Sequence, residues 1–395
     1  MFYLDNTLNL SIKSIFTARD IYPMLNTRFR YRHFRLRLVR YFKLGIGLAL
    51  IVSLIVITGN YGRPFFSWAT GQEDEDINLC SFHRIKKFDT NGKLITSWGD
   101  KGTGNGQFIH PHGIAIDSEG NVFVTDEERQ DVQKFDSNGT FLAKWGSPGR
   151  GEGQFSPRVE DINVDSNGNV YVVDYGNNRI QEFTNNGEFI TMWGSRGSGP
   201  GQFDRPWGVS FDSAGDVYVS DLRNNRIQKF DVNGKFLSEW GSEGNGPGEF
   251  IHIHGVAVDA DDNVYVSDAR ENGRISKFTN NGEFITMWGS RGSESGQLEE
   301  HHGIDFDSAG HVYVADTANQ RIQIFTPDGE LMGAWGVKGV ANDQFLMPQD
   351  IAIDSANNIF ISDVGDAHPE ISYIEQALTE NEASTQQSCD ETSSD

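Results

Sequence analysis

Of the ten histidines in this 395-residue chain, six fall in three close pairs: His110 and His112, His252 and His254, His301 and His302. His112, His254 and His302 each stand immediately before a glycine. A neutral imidazole is a ready metal ligand, and three of them with one position left open is the pattern of a catalytic zinc. No cofactor is expected apart from that option, in which His112, His254 and His302 hold zinc or another divalent metal. The competing reading is that Pro-His-Gly is one variant of a recurring Pro-x-Gly, its imidazole bonded to a nearby carbonyl. Arg158, Glu160, Asp161, Tyr175, Arg205, Trp207, Arg223, Arg270 and Gln349 fall near the same points of the pattern. They add guanidinium, carboxylate and aromatic groups of the kind that grip a ligand. Trp207 either anchors such a ligand or plugs the opening.

What positions these residues is a repeat. Trp98, Trp145, Trp193, Trp240, Trp288 and Trp335 recur at intervals of 47 or 48, and so do Asp126, Asp174, Asp221, Asp268, Asp316 and Asp363, each ending a V-Y-V-x-D-like run. Turn pairs such as Asn91-Gly92, Asn186-Gly187 and Asp328-Gly329 keep the same period. Each unit holds four short β runs, as at 208–212, 217–221, 226–230 and 236–240, joined by turns in which Gly or Asn accepts positive φ cheaply. A period of about 40–50 residues with four strands per unit is that of a propeller blade. Residues 84–98 supply only the third and fourth strands of a unit and residues 349–363 only the first and second. The two halves are therefore expected to pair and close a six-bladed ring without free sheet edges. In register, His112, Glu160, Trp207, His254, His302 and Gln349 are equivalent and gather at one mouth of the central channel, with His110, His252 and His301 beside them. Residues 183–198 and 278–293 are identical, so those positions are scaffold and function belongs where the copies differ.

Other motifs read as structure. Asp174 with Arg179, Asp221 with Arg226, Asp268 with Arg274 and Asp316 with Arg321 are expected ion pairs, and Asp363 is expected to meet Arg84 across the closure. One unit places Asp131 where the arginine belongs and adds Glu127 and Glu128, which predicts an uncompensated acidic patch. Gly-rich stretches such as 194–201 lead into strands rather than helix N-termini, so they are connectors and not phosphate cradles. The Asp-rich turns at 165–169 and 259–263 lack the bidentate Glu of a calcium loop.

The unit Gly-Gln-Phe-x-x-Pro-x-Gly, followed by Asn/Asp-Val-Tyr-Val-x-Asp and Asn-x-Arg-Ile-Gln-x-Phe, clearest at 201–230, resembles the NHL repeat. The resemblance runs through 84–363 and implies an all-β, six-bladed propeller of four-stranded blades; it differs from WD40 in placing Gly after the closing aromatic. The family includes ubiquitin ligases, RNA regulators, extracellular sensors and peptidyl-hydroxyglycine lyases. It implies a fold and leaves the task open.

Charge narrows the task. The chain has 33 Lys and Arg against 56 Asp and Glu, a formal charge of −23. Phosphate neutralisation needs a basic face, so nucleic acid is not an expected partner. Two cysteines exclude a disulfide scaffold and a RING module. Residues 1–43 run against the trend with nine basic and two acidic side chains, and an apolar stretch follows. Residues 41–61 read as a transmembrane signal anchor with a cytoplasmic N-terminus, 62–79 as a linker, 80–363 as the propeller and 364–395 as an acidic disordered tail, with a short helix at 369–378 and a possible Cys80–Cys389 disulfide. If the apolar segment is cleaved, the protein is secreted. The expected role is a membrane-tethered, extracytoplasmic module that binds a protein, peptide or glycan at the channel mouth. The alternatives are a metal-dependent lyase or hydrolase, as the lyase resemblance implies, and a structural part in a surface layer.

Overall fold

The structure, a computed structural model, describes residues 82–365. Leader, apolar segment, linker, both cysteines and the tail from 366 onward lie outside the described residues. Among the described residues no helix is long and apolar enough to cross a membrane.

Among the described residues twenty-four strands, β1–β24, form six four-stranded antiparallel sheets. The innermost strands are β3 (Pro111–Ile116), β7 (Ile162–Val164), β11 (Pro206–Phe211), β15 (Ile253–Val258), β19 (His301–Phe306) and β23 (Pro348–Ile353). The ring closes as the half-units require. In the shared sheet the order is β2-β1-β24-β23, with β1 (Arg84–Phe88) paired to β24 (Ile359–Asp363) from Arg84↔Asp363 to Phe88↔Ile359, and β2 (Leu94–Trp98) outermost.

Blades are held together by what lies between them. In one such core Tyr171, Val173 and Ile180 pack against Phe203, Val209, Val217 and Phe230 of the following blade. The recurring turn glycine and the closing tryptophan belong to one contact. Gly234 adopts φ +74°, and a Cβ there would lie 2.7 Å from the ring of Trp193 in the preceding blade. A side chain would be strained by backbone and neighbour alike, which explains why the two residues repeat together.

The expected ion pairs form at 2.8 Å (Asp174–Arg179), 3.0 Å (Asp221–Arg226), 3.2 Å (Asp268–Arg274) and 2.7 Å (Asp316–Arg321). Each latches a Gly-rich connector: Arg226 also donates to the carbonyls of Ser198, Gly199 and Gln202. Two latches differ from expectation. Arg84 and Asp363 are backbone partners, but Arg84 pairs with Asp100 at 3.0 Å and Lys86 takes Asp363 at 2.7 Å. Lys86 stands at the place of Gln181, Gln228 and Gln323, whose amides donate to the equivalent aspartates, so the charge comes from two residues further along the strand. Asp131 is not part of an uncompensated patch either. Arg129 pairs with it at 2.9 Å and donates to the carbonyl of Gly104, as Arg179 does to that of Gly151.

Candidate functional site

Each inner strand enters the ring through three successive tiers. The outermost holds His110, Arg158, Arg205, His252, Glu300 and Met347, the second His112, Glu160, Trp207, His254, His302 and Gln349, and the third Gly113, Asp161, Gly208, Gly255, Gly303 and Asp350. Inner strands crowd together at the third tier, where a Cβ on Gly113 would lie 2.6 Å from the Glu160 carbonyl oxygen and one on Gly255 2.5 Å from that of His302. Hydroxyls on the second strands fix the backbone above: Thr125 donates to the carbonyl of Glu160, Ser220 to that of His254 and Ser362 to that of His112.

The second tier is a lid across the channel. Trp207 is 5% exposed and stacks on His254 with centroids 4.1 Å apart and planes at 23°. His112 and His302 meet its edge at 5.7 and 5.5 Å. Of the two roles open to Trp207, plug is the one its burial matches. Above it Arg158 lies over the rings of Tyr175 and Trp207 at 4.8 and 5.5 Å, and Arg205 lies over Tyr175 at 5.6 Å while donating to its hydroxyl at 3.2 Å. Arg158, Arg205, Arg270 and Glu300 all have positive φ, from +47° to +74°. For residues with a Cβ that is strain, and its concentration at one opening marks the opening as special.

Carboxylates complete the mouth: Glu160 from the expected face, Glu127 from the expected acidic patch, and Glu300, which the sequence pattern did not single out. Arg158 Nε lies 3.0 Å from Glu160 and 3.7 Å from Glu127, His110 lies 3.8 Å from Glu127, and Arg270 Nε lies 2.6 Å from Glu300. His112 faces Glu160 at 3.4 Å. Two clusters result, His254 with Glu300 and His302, and His112 with Glu127 and Glu160, each offering three ligating atoms within 4.8 Å of one another. The three imidazoles do come together, His302 lying 4.6 Å from His254 and 5.6 Å from His112 by ring centroid, but His112 sits with the other cluster. Burial holds His254 and His302 well below the usual imidazole range, and neighbouring histidines add to the effect. Both are therefore neutral near pH 7.

The remaining expected residues are spread differently. His252 meets the edge of His254 at 4.7 Å. Arg223 is exposed, in the short 3-10 turn Leu222–Asn224. His301 is not part of the face: one residue off the inward register, it is fully buried, its Nε2 lies 3.1 Å from the Arg274 carbonyl oxygen, and burial pushes it down to about 4. Asp161 sits below the lid, beside a cavity of about 320 Å³ that Asp305 and Asp350 also line. These three carboxylates are stitches between blades. Asp161 accepts the Val209 N–H at 2.8 Å, Asp305 that of Ile353 at 2.6 Å and Asp350 that of Ile114 at 2.9 Å, in each case on the next inner strand. Burial raises Asp161 well above the carboxylate range, with Asp350 adding to it, and pushes Asp305 and Asp350 up to about 7.

Five segments, residues 108–135, 158–183, 203–230, 250–278 and 302–325, match the family described as NHL repeat. No curated protein matches the chain. Among solved structures, a protein of unknown function from Bacteroides thetaiotaomicron is similar at 19% identity, with 72% of this chain and 74% of that one covered and a TM-score of 0.52. One of unknown function from Bacteroides caccae is similar at 11% identity, covering 69% and 98%, with a TM-score of 0.50. An inactive variant of virginiamycin B lyase from Staphylococcus aureus, solved with quinupristin, is similar at 18% identity, covering 71% and 81%, with a TM-score of 0.48. At these identities the likeness is one of fold alone.

Proposed function

Since the chain belongs to the NHL-repeat β-propellers, a family whose common scaffold leaves function to the variable positions, we propose that it is a ligand-binding module working through the channel mouth. The observation that carries this reading is Arg205. It is half-buried, held at φ +64° and laid over Tyr175, yet among the described residues no carboxylate pairs with it. A guanidinium fixed on an aromatic shelf suits a carboxylate, sulfate or phosphate on a ligand with an apolar portion. An acidic peptide or glycan has that chemistry. The mouth offers this site within a strongly acidic protein, which favours such ligands locally and repels them elsewhere.

The test is to probe peptide and glycan arrays with the full-length chain in detergent, beside Arg205→Glu. Hits rich in carboxylate or sulfate that fall at least about tenfold in the variant support the reading, since charge-assisted hydrogen bonds are among the strong ones. Hits indifferent to the substitution overturn it. We also assign residues 41–61 as the tether that holds the propeller outside the cytoplasm. Membrane fractionation with external protease tests this, and Leu50→Arg should release the chain from the membrane pellet. A second reading, a metal-dependent lyase or hydrolase, draws its support from the buried His and Glu clusters under the same face.

A further inference from the structure

We infer that His254, Glu300 and His302 form a binding site for one divalent transition-metal ion, zinc in the first instance. This goes beyond ligand capture by Arg205 and does not depend on it. The argument begins with proton placement. His302 Nδ1 lies 2.7 Å from the Gln349 Oε1 and His254 Nδ1 lies 3.4 Å from the His301 carbonyl oxygen. Amide and carbonyl oxygens only accept, so each Nδ1 carries the proton and each Nε2 keeps its lone pair. Outer partners fix metal-binding histidines in the same way, setting tautomer and ring orientation.

The His254 Nε2 is fully buried and has no hydrogen-bond partner, in a residue that is 1% exposed. Leaving a buried polar atom unmatched is costly, and a metal ion removes that cost. Glu300, 2% exposed, completes the donor set with a carboxylate. Two imidazoles and one carboxylate are a known donor set for zinc, with a fourth position left for water or a ligand. Space is available: a cavity of about 20 Å³, large enough for a single ion or water, lies between the two clusters, with His254, Glu300 and His302 on one side, His112 and Glu127 on the other, and Arg158 and Arg270 at its border. Donors around tetrahedral zinc sit roughly 3.3 Å apart, so the side chains draw in by about an ångström on binding. The neighbouring cluster is the poorer site. It has one imidazole where the first has two, and that imidazole already faces Glu160 at 3.4 Å. A guanidinium borders both sites, Arg158 at 3.0 Å from Glu160 and Arg270 at 2.6 Å from Glu300, so the second imidazole is what separates them.

The test uses the full-length chain in detergent, stripped with chelator and titrated with Co2+ and then Zn2+. The wild type should take up one equivalent, show the visible absorption of low-symmetry Co2+ and lose Trp207 fluorescence, because that ring stacks on His254. His254→Asn and Glu300→Gln should each weaken binding by roughly 100-fold or more. Gln349→Ala, which removes only the partner of His302 Nδ1, should weaken it about 10–100-fold. His112→Asn should change it by less than about threefold, since it removes no donor of this set. No stoichiometric uptake by the wild type overturns the site, and so does a loss in His112→Asn equal to that in His254→Asn. Near-UV circular dichroism identifies any variant that fails to fold, and the pair Glu300→Gln and Gln349→Ala then decides.

Discussion

The latch between blades and the mouth of the channel are built from the same groups, a buried carboxylate beside a guanidinium, yet they are finished differently. In the latch Arg226 uses all five N–H groups, on Asp221, Glu239 and the carbonyls of Ser198, Gly199 and Gln202. At the mouth Arg205 spends itself on a tyrosine hydroxyl and an aromatic face. The saturated arrangement recurs around the ring and the incomplete one differs at every blade. Saturation marks a group whose partner is the fold; incompleteness marks one whose partner comes from elsewhere.

That contrast can be broken by substitution. The largest effect is expected from Asp174→Ala, which leaves Arg179 buried with its counter-charge gone. A loss of about 3–5 kcal/mol in urea or thermal unfolding is expected, and a loss below about 1 kcal/mol would mean the latch is not what holds the connector. Gly303→Ala comes next. Its Cβ would lie 2.1 Å from the Asp350 Oδ1 and 2.8 Å from the Asp350 backbone, so a cost of about 1–3 kcal/mol is expected from the same measurement.

A third substitution reads pH. In the folded ring burial pushes Asp305 up to about 7 from an ordinary 3.8, so the folded state binds its proton more tightly than the unfolded chain. The cost of ionising it is absent below about pH 4 and complete above about pH 7. Asp305→Asn removes that cost, so the variant should gain on the wild type as pH rises through this window, by on the order of 1–2 kcal/mol, the adjoining cavity moderating the full conversion. A stability difference that is flat between pH 4 and 8 would show that the stitch is ionised throughout. The smallest effect belongs to Arg205→Gln, within about 0.5 kcal/mol of wild type in unfolding. A large loss there would make the mouth a second latch.

Much of the ring was legible because period and residue type agree: tryptophan, turn glycine and strand-ending aspartate each count the blades, and the half-units at 84–98 and 349–363 require closure. The failures have one physical source, which is that side chains reach across register. Lys86 replaces Arg84 because a lysine two residues along the same strand face reaches the same carboxylate. Arg129 replaces the missing latch arginine from within a loop, where strand alignment has no position for it. His301 was grouped with its neighbours, but strand side chains alternate, and one residue off the inward register turns it into the blade. Glu127 and Glu300 reached the two His/Glu clusters from a following turn and an outer tier, a proximity visible only once six separate entries share an axis. Asp350 was open to discovery, since it and Asp161 alone replace the third-tier glycine.

The shared sheet also sets a schedule. β1 occupies the third place in a sheet whose first two strands are the last of the ring to leave the ribosome, so the opening hairpin has no inner neighbour until residue 363 has been made. Joining ends this distant is entropically slow and leaves a hydrogen-bonding edge bare meanwhile. A permuted gene beginning at the turn before β3 and joining 363 to 84 through a short linker would make every blade from consecutive strands. Such a chain should refold faster to the same ring, with the final docking of blade on blade as its remaining slow event.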